Sequence, residues 1–201
     1  MTVTTQARAA TDHSAARRAM IDSQLRVSGV TDPAVLGTMG RVERERFVPL
    51  GARDHAYIDR AIPLDDGHAL PAPLVHGLML SEAAPTAGDA ALVIDSGSGY
   101  LAALTRPLVG SLAVMSPAEG ASRKGKGAYT LVLVDGAIEQ LPAGLAAQLA
   151  ENGRVVTGLV SRGVTRLAAG RKVSGQVALL PLAEIGIPVL AEFAAPKRWS
   201  F

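Results

Sequence analysis

Asp95, Gly97 and Gly99 stand at a spacing suited to holding a small cationic ligand. In Val93-Ile94-Asp95-Ser96-Gly97-Ser98-Gly99-Tyr100 an apolar run ends, two glycines permit positive φ, and a helical pattern begins. Such a turn leaves backbone N–H groups at a helix N-terminus, at the carboxyl end of a buried strand. Open α/β sheets bind nucleotide-like ligands there. No Gly-Lys-Ser/Thr follows, so this is not a phosphate loop. The third glycine of a dinucleotide fingerprint falls on Ala102, and no acid follows at the expected distance. An acid ahead of the first glycine suits a cation better than a pyrophosphate. A tight turn with no ligand remains the other reading. Asp135 follows the apolar run Leu131–Val134 and precedes Gly136, which gives it the same address at a sheet's carboxyl end. A turn-capping Asp before Gly is its alternative. His13, His55, His68 and His76 are widely separated and make no metal-ligand spacing with an acid.

Elements must bring these residues together. Residues 1–15 read as a loose tail, and a helix fits Ala16–Ser28, closed by Gly29. Asp32 and Pro33 start a second helix. Residues 51–73 are irregular and rich in Pro and Gly, as expected of a segment covering a site. A third helix fits Pro73–Ala84. Strands are expected over 90–94, 112–115, 131–134 and 154–159, with helices over 100–109 and 141–150. The last part carries Thr165–Ala169, Gln176–Leu180 and Ile185–Leu190, with turns at Gly170 and Gly175. The alternation predicts an α/β fold with a mainly parallel sheet and an antiparallel edge. Glu139 is read as a cap for the helix after it, and Gly120–Gly127, with Arg123, Lys124 and Lys126, as a flexible basic loop. The aromatic C-terminus, Phe193, Trp199 and Phe201, is expected to dock on the core or a partner.

Composition narrows the function classes. Hydrophobic residues make up 48% and charged residues 19% of 201 residues, which is a globular balance. A net charge of +2 gives no case for nucleic acid or an anionic membrane. The chain has no cysteine, which excludes disulfides and a thiolate nucleophile and fits a reducing cytoplasm. Met1–His13 lacks the apolar stretch of a signal peptide, and the longest apolar runs are too short to span a bilayer.

Several stretches, read in order, resemble the protein-L-isoaspartate O-methyltransferase family. They are Met20–Leu25 with Gly29-Val30 and Asp32–Leu36; Val42-x-Arg44-x-x-Phe47-Val48-Pro49; and Ala56-Tyr57-x-Asp59-x-x-Ile62-Pro63-Leu64. Asp95–Ala103, Val134–Pro142 and Leu149–Val156 complete the set, so the resemblance covers most of residues 16–190. It implies a Rossmann-like S-adenosylmethionine-dependent sheet, abbreviated, with N-terminal helices. Residues 16–85 would form the helical segment and substrate-loop arm, and 86–201 the α/β core. The family transfers methyl from S-adenosylmethionine to isoaspartyl or D-aspartyl carboxylates in damaged proteins. The resemblance assigns Asp95, Ser96, Gly97, Ser98, Gly99, Tyr100 and Asp135 to the cofactor and Asp59 to the arm that approaches the site; His68 is a candidate catalytic donor in the loop that departs from the family, with a solvated side chain as its other reading.

The chain departs from the family at three places. Gly67-His68-Ala69-Leu70-Pro71-Ala72-Pro73 stands where a Thr-Ile-Ser-x-Pro motif presents hydroxyls. Ser116 stands where an acid holds the cofactor ribose; Glu119, three residues on, is the candidate substitute, with a surface side chain the favoured reading. Only Leu101–Ala128 separates Tyr100 from Tyr129, too little for the family's extra helix, third strand and adenine turn. Two expectations follow. A second copy of the chain would cover the shortened sheet, and a non-catalytic interaction module stands as the alternative to an enzyme.

Overall fold

The computed structural model describes residues 12–195. Its helices begin where local chemistry starts them. Ser14 N–H bonds the Asp12 carboxylate at 2.9 Å, and α1 runs Ser14–Met20. The helical path continues as a π turn over Ile21–Leu25 and a 3-10 turn over Arg26–Ser28, and left-handed Gly29 (φ 90°) ends it. Helix α1 thus takes in Ser14 and Ala15, which the sequence reading left in the tail. Asp32 caps α2 (Pro33–Arg41) by accepting from Ala34 and Val35 N–H. Helix α3 (Pro73–Ala83) is buried on nearly every side, and Gly77 lets Leu25 and Val30 approach it.

Strands β1 (Ile62–Pro63) and β2 (Ala69–Leu70) form a small antiparallel pair in the arm. The main sheet holds β3 (Ala90–Ile94), β4 (Ser111–Met115), β5 (Tyr129–Ile138), β6 (Leu149–Ser161), β7 (Val164–Val173) and β8 (Gln176–Glu184). Their order is β4-β3-β5-β6-β7-β8. The first four are parallel and the last two antiparallel. Short helices α4 (Tyr100–Thr105), α5 (Pro117–Ser122) and α6 (Ala143–Ala146) fill the crossovers.

Alternate residues of the central strands face two apolar clusters. Ala91, Val93, Leu131, Leu133 and Val156 pack against the N-terminal helices. Leu92, Ile94, Val132, Val134 and Val155 pack on the other side with Leu145, Leu190 and Phe193. The C-terminal segment therefore covers the face from within, where a helix is missing. It is tied down by Leu190 N–H to Ala137 C=O at 2.9 Å and Ala137 N–H to Pro188 C=O at 2.7 Å.

Several local expectations are corrected. Residues 141–150 hold one short helix, α6, because β6 already begins at Leu149 in parallel register with Tyr129. Gly120–Ser122 belong to α5, where Gly120 lies flat against Ile94, and Gly125 (φ 85°) turns the basic stretch beyond it. Gly170 sits inside β7 and the turn falls at Ser174-Gly175. Ile185–Leu190 forms no strand; only Val189 bridges to Ala137. Glu139 accepts from Ala195 N–H at 2.7 Å and caps no helix. Phe193 is buried as expected of a docked aromatic, while Trp199 and Phe201 lie outside the described residues.

Candidate cofactor site

The glycine turn lies between the end of β3 and the start of α4. Gly97 (φ 100°) and Gly99 (φ 76°) both take the left-handed conformation. Asp95 shapes the turn: its Oδ1 accepts from Gly97 N–H and Gly99 N–H, each at 2.8 Å. Its Oδ2 is buried and has no hydrogen-bond partner among the described residues. Burial raises the Asp95 pKa, the charge of Asp135 adds to this, and the two glycine N–H groups oppose it. A cation at Oδ2 would relieve both burdens.

Ser96, Tyr100 and Asp135 stand behind the turn rather than on its surface. Asp135 is fully buried within β5; its Oδ2 accepts from Ser96 Oγ at 2.7 Å and its Oδ1 faces His76 Nε2 at 2.8 Å. Neither a turn cap nor a surface carboxylate describes it. Arg44 is also fully buried. It donates to Ala56 C=O at 2.7 Å and Pro71 C=O at 2.6 Å, and its Nη1 lies 3.4 Å from His76 Nδ1. A guanidinium only donates, so His76 Nδ1 is the acceptor and Nε2 carries the hydrogen given to Asp135. A cation and a carboxylate are thus joined through one neutral imidazole in a dry interior. The Arg44 guanidinium carbon lies 4.9 Å from the Tyr100 ring centroid, and burial pushes the Tyr100 phenol up to about 12. This chain of contacts fastens the arm, through Pro71, to the glycine turn, through Ser96.

The outer side of the turn is covered. The Asp66 carboxylate fills the place that a Cβ on Gly97 would take. His68 Nδ1 lies 3.0 Å from Asp66 Oδ2, and its Nε2 lies 2.9 Å from Glu192 Oε1. Leu190 occupies the space over Gly136. Ser98 Oγ accepts from Tyr100 N–H at 3.1 Å. Ser116 and Glu119 bond one another in a capping box on α5, so Glu119 is committed to its own helix.

Asp59 lies apart from the turn. It accepts from Leu74 N–H at 3.1 Å and borders a hollow of about 530 Å³. Arg60, Ala72 and Leu74 line this hollow on the arm's side, with Ile185–Pro188 opposite. Of the residues assigned from sequence, Asp95, Gly97, Ser98 and Gly99 meet on the turn, Ser96, Tyr100 and Asp135 support it, His68 roofs it, and Asp59 borders the neighbouring hollow. Sequence reasoning missed Arg44, Asp66, His76 and Glu192 as parts of the site. Arg44 lay within a quoted motif, and His76 stood out as a polar residue in an apolar helix.

A family model described as protein-L-isoaspartate(D-aspartate) O-methyltransferase matches residues 15–119. The match ends inside the shortened stretch between Tyr100 and Tyr129. Protein-L-isoaspartate O-methyltransferase 2 of Anaeromyxobacter sp. (strain Fw109-5) is 33% identical over 165 residues, covering 70% of this chain and 68% of the relative. The protein-L-isoaspartate O-methyltransferase of Roseiflexus castenholzii is 34% identical over 167 residues, covering 70% and 75%. A Plasmodium falciparum crystal structure, described as that of a protein-L-isoaspartate O-methyltransferase in complex with S-adenosyl-L-homocysteine, aligns with a TM-score of 0.71. It shares 18% identity and covers 91% of this chain and 100% of its own, which shows a common fold.

Proposed function

The chain belongs to the protein-L-isoaspartate(D-aspartate) O-methyltransferase family, and from that premise we propose that it methylates isoaspartyl or D-aspartyl carboxylates in damaged proteins, using S-adenosylmethionine. The observation that carries this reading is the buried, unpartnered Oδ2 of Asp95 on a glycine turn. When bound, S-adenosylmethionine supplies an electrophilic methyl group on a sulfonium centre.

The chain's residues hold and orient. Asp95 Oδ2 would accept from the methionine ammonium, and Gly97, Ser98 and Gly99 would offer backbone to the cofactor once the Asp66 carboxylate moves off Gly97. Ser96, Tyr100 and Asp135 keep the turn in shape from behind. The acceptor peptide enters by the hollow beside Asp59 and Arg60, which adjoins the arm through Ala72. His68 stands over the glycine turn, bonded to Asp66 and Glu192. Methyl transfer to a carboxylate needs little proton movement, so the work of the site is alignment and exclusion of water. Leu190 and Phe193 are packed into the second apolar cluster, and Glu119 is bonded within its own helix. Among the described residues no helix is long and apolar enough to cross a membrane. The reading locates the protein in the cytoplasm, which suits a cysteine-free chain. It includes a second copy paired along β4, one of the sheet's two edge strands among the described residues.

Two observations favour the non-catalytic alternative: Asp66 already covers Gly97, and Ala69 and Pro71 bring no hydroxyl to the arm. Calorimetry with S-adenosyl-L-homocysteine, followed by methyl transfer to an isoaspartyl peptide, separates the two. We expect binding that Asp95→Ala abolishes, and transfer. No binding at millimolar ligand would remove any methyltransferase role. Binding without transfer would point to a different acceptor.

A further inference from the structure

We propose that Asp66, His68 and Glu192 form a latch that closes the arm over the glycine turn and that opens to admit the cofactor. This rests on the cofactor reading above. Three observations meet here. Asp66 lies directly on Gly97, so a ligand contacting that glycine has to displace its carboxylate. The same carboxylate is held by His68, both at Nδ1 and through the His68 backbone N–H at 3.0 Å. The other face of the imidazole is held by Glu192, which is separated from it by 124 residues of chain and belongs to the segment that covers the sheet.

The bonding pattern makes the latch sensitive to pH. Both ring nitrogens face carboxylate oxygens, and a carboxylate only accepts. A neutral imidazole has one N–H, so both bonds exist together only when His68 is protonated. Asp66 and Glu192 are the titratable groups facing the ring, one from its own loop and one from the C-terminal segment. The hydrogen bond to Asp66 raises the His68 pKa; burial opposes it, and the hydrogen bond to Glu192 adds to the rise. The closed latch is therefore complete below the ordinary imidazole range. As pH rises through the raised value one arm of the bridge is lost. At that point Asp66 is freed from its tie to the C-terminal segment, and Gly97 is uncovered more readily.

The probe is S-adenosyl-L-homocysteine, titrated by calorimetry into the full chain from pH 5.5 to 8.5. Wild type, His68→Gln and Glu192→Gln are compared after melting curves show all three folded. The two links are partly exposed, so each contributes modestly, and affinity should rise with pH by roughly 3- to 10-fold in wild type. Both variants should bind at least as tightly at acid pH and show little slope. Histidine ring spectra of the free protein supply a readout independent of ligand. In wild type both His68 nitrogens carry hydrogen at acid pH, and Glu192→Gln lowers the midpoint. Binding with the same slope in wild type and His68→Gln overturns the latch, as does binding without slope in wild type or a His68 midpoint unmoved by Glu192→Gln. Absence of binding in every form at every pH overturns the cofactor reading itself, and the gate falls with it.

Discussion

Asp89, just ahead of β3, and Arg154, in β6, meet across the sheet in a two-pronged contact at 2.9 and 2.8 Å. Thr86 and Thr130 hydroxyls also donate to Asp89. These bonds, Arg154 first, hold the Asp89 carboxyl well below the usual carboxylate range despite the opposing effect of burial. A depressed folded-state pKa stabilises the fold above the unfolded value, near pH 4, and the contribution is lost as pH falls toward the folded one. Asp89→Asn should therefore cost about 2–3 kcal/mol at neutral pH in urea unfolding and flatten the acid side of the stability profile. An unchanged acid profile would mean that the pair is not what fails in acid. At this scale the sequence showed what was local. Asp95 and its glycines lie within five residues, and their chemistry follows from that spacing. The partners of His76 lie 32 residues before it and 59 after it, and those of His68 include one 124 residues away. No local pattern announces such pairs, because only the folded path brings them together.

Elements were most legible where capping and period agreed. The Asp32-Pro33 start of α2 and the Gly29 stop are fixed by backbone chemistry within a few residues. The reading over 141–150 failed because apolar spacing there fits a helix, while the parallel register of β5 and β6 claims Leu149. Lys172 reinforces that outcome by donating to Ala146 and Leu149 carbonyls at 3.3 and 2.8 Å. The C-terminal segment is the element whose role was least visible. It has no regular period, yet Phe193 is a fully packed part of the second core. Phe193→Ala should cost about 3–4 kcal/mol by cavity formation and lost burial, read as a shifted denaturation midpoint. A loss under 1 kcal/mol would show that the segment packs only loosely.

At the scale of the molecule the abbreviation between Tyr100 and Tyr129 has two effects. The face it uncovers is closed by Leu190 and Phe193 of the same chain. The edge it uncovers, β4, keeps its outer backbone groups unpaired, and Val114 there is 45% exposed. Antiparallel pairing of two β4 strands would continue the sheet through a second copy. Light scattering across a concentration series should then find a dimer, and Val114→Lys should return it to monomer. A single monomeric species at every concentration would sink this assembly. The sheet's existence and its antiparallel end were legible from alternation, because strand and helix periods differ. Its self-covering was not, since that depends on the return of a distant segment.

That return has a consequence for biosynthesis. A ribosome delivers the glycine turn well before it delivers Leu190, Glu192 and Phe193. During the interval the nascent chain holds an apolar sheet face bare, so it is a target for chaperones and for premature association. The roof of the site and the last patch of core are completed in a single late step. Shortening the chain before Phe193 would thus be expected to leave a molecule that is both sticky and open.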